Sequence, residues 1–170
     1  MLEHTLTKQA VVDLINSELK NERKENALDY IDFLFMNEIS AIHKTGSTWG
    51  FDYLGENLSV IDISGHRGPG GWVIYWGATE PSIPQNYVID EHLKEFAFAH
   101  IGFCGKCESN KPNYCGKRWT IYGKEFDDVC HAPLVFNEPV ADELVKIKKL
   151  IEMRIQVINE MNKHPSPHNF

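Results

Sequence analysis

The sequence predicts an α+β fold: a four-stranded, mostly antiparallel sheet with two N-terminal helices, a central helix, a long C-terminal helix and a cysteine-rich zinc-binding excursion. Three observations predict it. Apolar residues recur at helical spacing at both ends of the chain. Between them the period changes to aromatic-rich alternating runs separated by glycines. Four cysteines then group between residues 104 and 130.

The first 44 residues read as a helical hairpin. Thr7 caps a short helix, in which Val11, Leu14, Ile15 and Leu19 share a face. A second helix runs from about Arg23 to His43, with a stripe of Ala27, Leu28, Ile31, Leu34, Phe35, Ile39 and Ile42. Neither helix shows a dense basic face, so scaffold packing explains the pair better than DNA reading does. The strands follow: Thr48 to Tyr53, Asn57 to Ile63 and Trp72 to Gly77, an antiparallel meander with a turn near Gly55. The Gly-rich connection around His66 and Arg67 lacks the Walker and dinucleotide patterns. It reads as a long turn or as an anion loop. A helix from about Val88 to Ala99, a strand Trp119 to Tyr122 and a final helix follow. Asn137 caps that last helix, Pro139 sits in its first turn, and Leu144, Ile147, Ile151, Ile155 and Ile158 form its stripe.

With 170 residues, 42% apolar and 24% charged, the chain has the composition of one globular domain spanning 1–170. Its parts are the hairpin at 1–44 and a cysteine-rich metal-binding insertion at 100–131. Seventeen basic against 24 acidic residues leave a net charge of −7, which argues against nucleic acid as a partner. No basic stretch followed by an apolar core opens the chain, and no window is long and apolar enough for a membrane helix. A cytoplasmic protein is expected.

The sulfur pattern is C-x2-C-x7-C-x14-C, formed by Cys104, Cys107, Cys115 and Cys130. Cys104-Gly105-Lys106-Cys107 has the form of a zinc knuckle, and Cys115-Gly116-Lys117 echoes it. Four thiolates are the usual closed, structural zinc set, and Lys106, Lys111, Lys117 and Arg118 can moderate their charge. The segment between is too polar to build its own core, so a metal would supply what packing does not. An iron–sulfur cluster takes the same ligands, and a Cys104/Cys107 redox pair is a further alternative. His100 and His131 are replacement ligands. Nothing fixes a catalytic residue among Glu125, Asp127 and Asp128, and no hydrolase or metalloprotease motif is present.

All four tryptophans fall on predicted strands. Packing explains many of the aromatic residues. The sharper reading is a cleft for a small organic molecule, built from Trp49, Tyr53, Asp62, His66, Arg67, Trp72, Trp76 and Trp119. Asp52 and Glu56 are further polar candidates.

The runs Trp49 to Tyr53, Asn57 to Ile63 and Trp72 to Gly77, then Gly116-Lys117-Arg118-Trp119 and Leu144 to Lys149, resemble a family of small uncharacterised bacterial α+β proteins over roughly residues 45–152. That resemblance implies an α+β domain akin to small-molecule effector-binding modules. It implies no catalytic residues and does not include the cysteines. The expectation is therefore a small-molecule-binding or regulatory protein with a structural four-cysteine zinc site. The alternatives are a zinc-stabilised protein–protein interaction module, or a metalloenzyme, metal sensor or iron–sulfur protein.

Overall fold

In the computed structural model, which describes residues 2–64, 68–77, 89–104 and 116–163, two helices lead into a seven-stranded antiparallel sheet. Helices α1 (Leu2–Glu18) and α2 (Asn21–Met36) precede strands β1 (Ser40–Thr45), β2 (Thr48–Tyr53), β3 (Glu56–Ile63) and β4 (Trp72–Trp76). Then come α3 (Glu91–Ala99), β5 (Ile101–Phe103), β6 (Lys117–Ile121), β7 (Lys124–Asn137) and α4 (Ala141–Lys163). The sheet order is β1-β2-β3-β4-β7-β5, and β6 also pairs with β7.

The fold is α+β, but the four-stranded sheet is corrected to seven strands. Two errors account for most of the difference. The helix expected up to His43 ends at Met36, because Asn37 closes it and Glu38 turns at positive φ (58°). Ile39 and Ile42 satisfy helical spacing, yet residues 40–45 form edge strand β1, paired with β2. At the other end, Asn137 does not cap the last helix. It ends β7, opposite Val73, and α4 starts beyond Pro139, where Glu143 accepts a hydrogen bond from the Val140 N–H. Thr7 likewise lies inside α1 instead of capping it.

The hairpins explain the register. Leu54-Gly55 and Tyr122-Gly123 are two-residue turns with both φ values positive (50° and 86°, 48° and 82°), the primed geometry that matches strand twist. β7 is long enough to serve both edges. Its C-terminal part pairs with β4, its N-terminal part with β6, and β5 pairs with residues between.

One face of the sheet carries Phe51, Ser59, Ile61, Trp72, Ile74, Trp76 and Phe136, aligned by register. The helices pack on this face. Tyr30 of α2 meets Trp72, Phe35 meets Phe51 edge-on, and Phe96 of α3 stacks on Phe136. Helix α4 brings Leu144, Ile147, Leu150, Ile151, Val157 and Ile158 into the same interior. Tyr30 donates to Ser59 Oγ, so the two fully buried hydroxyls satisfy each other.

Candidate functional site

The cysteine segment is corrected first. Among the described residues no group of three or more His, Cys, Asp or Glu side chains is placed to hold a metal ion. Cys107 and Cys115 lie outside the described residues. No disulfide joins Cys104 to Cys130. Cys104 follows β5, its N–H donating to the Asp128 carbonyl, and Cys130 is buried inside β7 with its Sγ 3.3 Å from His131 Nδ1. The four-cysteine zinc site and its iron–sulfur alternative are therefore overturned, and so are the zinc-based function readings. The physical reason lies in the flanks. The strands that flank the expected staple bury Ile101, Trp119, Ile121 and Val129 in the common core, so strand pairing and packing hold them without a metal.

The aromatic residues are placed chiefly as core. Trp49, Trp72, Trp76 and Trp119 are all buried, with Trp72 and Trp76 on the helix-covered face. Trp49 meets the His43 ring at a tilt, with centroids 4.8 Å apart. Asp62 points to the opposite face from Trp49, and its carboxylate accepts from Ser47 and Thr48 hydroxyls. Tyr53 donates to Asn159 Oδ1 on α4. His66 and Arg67 lie outside the described residues. The structure thus does not gather the described members of this set into one cleft. It brings only Tyr53 and Trp76 to a common neighbour, the second half of α4.

That half of α4 contains a residue the sequence reading passed over. Arg154 continues the buried stripe of Ile147, Leu150 and Ile151 towards Val157 and Ile158, and it is only 5% exposed. Its side chain crosses the end of β4. Nη1 donates to the Gly77 carbonyl, where the β4 ladder stops, and the guanidinium lies over the Trp76 ring at 5.6 Å. Nη2 is buried and has no hydrogen-bond partner among the described residues. No carboxylate of the described residues forms an ion pair with it. Desolvation lowers the Arg154 pKa, while Glu56 and Tyr122 act in the opposite sense.

Tyr122 is the second unusual group. It stands in the β6–β7 turn, its hydroxyl is buried without a partner, and it interacts electrostatically with Arg154. Burial raises its pKa well above the ordinary tyrosine range, so the hydroxyl stays protonated and available as a donor.

The support beneath Arg154 is rigid. A Cβ at Gly77 would collide with Asn57, whose backbone oxygen would be 2.7 Å away, so only glycine lets β3 and β4 approach this closely. Asn57 is in turn held by Asp52 through a 2.6 Å hydrogen bond. An arginine inside an apolar stripe was visible in the sequence. The i, i+3, i+4 run through Ile147, Ile151 and Ile158 places residue 154 on the inner face, and that was the signal missed.

An open cavity of about 620 Å³ lies at the α1–α2 elbow, lined by Glu18, Lys20, Glu22, Arg23 and Gly70 among others. Its guanidinium is already engaged, because Arg23 donates to the Gly70 carbonyl and pairs with Glu138 at 2.8 Å. The charges there compensate one another, and at the α4 site they do not.

The fold and this site define an antiparallel sheet covered on one face by helices, with a buried cation at one end that has no ion-pair partner among the described residues. No family model, curated protein or solved structure matches the chain. Among the described residues no helix is long and apolar enough to cross a membrane.

Proposed function

We propose that the protein binds a small organic molecule at the Arg154 end of the sheet, and that this binding is its function. The observation that carries this reading is the pair of buried donors, Arg154 Nη2 and Tyr122 Oη, with no acceptor. A buried polar group without a partner costs about 1–3 kcal/mol, and more when charged. Two such groups in mutual electrostatic contact are explained when an acceptor from outside the chain completes them. The binding surface would be walled by Trp76 and positioned by Gly77 and Asn57. The reading includes a cytoplasmic location.

The test is a screen of mixed small metabolites, charged and neutral, against the isotope-labelled full chain by NMR. A binder should move the side-chain signals of Arg154 and the ring signals of Tyr122 and Trp76 in a saturable way. Binders that move only signals at the α1–α2 elbow would refute this placement.

A further inference from the structure

The geometry points to a carboxylate as the group that the Arg154 site receives, so that the ligand is a small organic acid. This rests on the reading above and narrows it.

The argument is one of donors and charge. Arg154 Nη2 offers N–H groups and Tyr122 offers an O–H, both buried and both lacking acceptors. The two do not bond to each other in the structure, and although the Tyr122 oxygen could accept from a guanidinium, its own proton would still need an acceptor. A group that answers such donors carries acceptors only. An ionised carboxylate has two oxygens and no proton, and arginine binds it through parallel N–H bonds. An amide or alcohol would bring donors of its own into a site already rich in them.

The charge count then separates carboxylate from phosphate. The guanidinium contributes a single positive charge. Tyr122 is neutral, since burial keeps its proton on. Glu56, exposed at the start of β3, acts on Arg154 from a distance without pairing. A singly charged carboxylate neutralises the site. A phosphate dianion would leave net negative charge in a desolvated place, which is costly.

The experiment uses the smallest isosteric pair, sodium acetate and acetamide, titrated at constant ionic strength into the labelled full chain. The Arg154 Nε–H and Tyr122 Cζ signals are followed by NMR, with inorganic phosphate as a third probe. Acetate is expected to move both signals saturably, acetamide to move neither, and phosphate to bind more weakly than acetate. Tyr122→Phe, which removes only the hydroxyl, should weaken acetate binding about tenfold, as loss of one hydrogen bond to a charged group does. Acetamide binding as well as acetate would overturn the carboxylate while leaving small-molecule binding in place. Phosphate binding more tightly than acetate would likewise overturn the choice of group. If none of the three probes moves the Arg154 or Tyr122 signals and the metabolite screen also leaves them still, both readings fall. Tyr122→Phe keeps the aromatic ring and removes only the hydroxyl, so the comparison is made on a folded chain.

Discussion

Helices α2 and α4 press on the same face of the sheet, yet they treat buried polarity in opposite ways. At α2, Tyr30 donates to Ser59 and Asn26 donates to the Pro139 carbonyl, so the buried hydroxyls and amide have partners within the chain. The one orphan there is neutral, the Trp72 indole N–H, which lies against the Tyr30 ring. At α4 the orphan is a guanidinium, with a tyrosine hydroxyl beside it. Apart from that neutral N–H, the α2 contact is answered within the chain and serves stability. The α4 contact lacks an acceptor among the described residues, and the proposed binding site rests on that. Chemical composition does not separate the two regions, since each has a tyrosine and a tryptophan. What separates them is whether the donors are answered.

The largest effect expected from breaking this contrast belongs to the α2 side. Trp72 is 1% exposed beneath Tyr30. Trp72→Ala should cost about 3–5 kcal/mol, read as a lowered urea midpoint. A loss below about 1 kcal/mol would mean that this contact is not the structural one.

Alkaline pH probes both regions together. Tyr30 and Tyr122 hold their protons in the folded chain above the pH of about 10.0 at which an unfolded tyrosine releases its own. The folded chain then binds more protons than the unfolded one, so stability is intact below that pH and falls above it. Each tyrosine contributes about 1.4 kcal/mol per pH unit. Lowered Arg154 contributes with the opposite sign at the alkaline extreme. Urea midpoints at pH 9, 10 and 11 should show the decline, and Tyr30→Phe should remove about half of its slope. A flat profile would contradict the burial of both hydroxyls.

The sharpest test removes one hydroxyl from each region. Tyr30→Phe leaves Ser59 buried without its partner and should cost about 1–3 kcal/mol. Tyr122→Phe deletes a donor that has no acceptor, and should be neutral or slightly stabilising in the absence of ligand. Equal losses from both would erase the distinction between structural and recognition polarity. The smallest effect concerns the exposed bridge between the two helices, where Lys148 pairs with Asp29 at 2.7 Å. Asp29→Asn should shift stability by about 0.5 kcal/mol or less, and addition of salt should shrink the difference further.

Much of the layout was legible from residue spacing. The alternation in Thr48–Tyr53, Glu56–Ile63 and Trp72–Trp76 is local, and two-residue turns with glycine at 55 and 123 are local too. The stripe of Leu144, Ile147, Ile151 and Ile158 spans α4 and needs no partner to be seen. β1 was missed because Ile39 and Ile42 fit a helix as well as a strand, and only pairing with β2 decides between them. β5 and β7 escaped for a similar reason. β5 is three residues long, and β7 mixes polar and apolar stretches because it pairs with different strands along its length. The cysteines drew the eye to a metal, while the strands around Cys104 and Cys130 were held by the core.

The site divides the same way. By itself the sequence determined that α4 is amphipathic and that an arginine stands at residue 154 within its apolar stripe, since helical period alone sets which positions share a face. Only the tertiary structure decided what that arginine meets. The end of β4 offers one carbonyl at Gly77, Trp76 supplies a ring, and the distant turn at Tyr122 adds a hydroxyl that also lacks an acceptor. Such an imbalance of donors and acceptors arises between segments far apart in the chain. It becomes visible only when burial has removed the water that would otherwise satisfy each group.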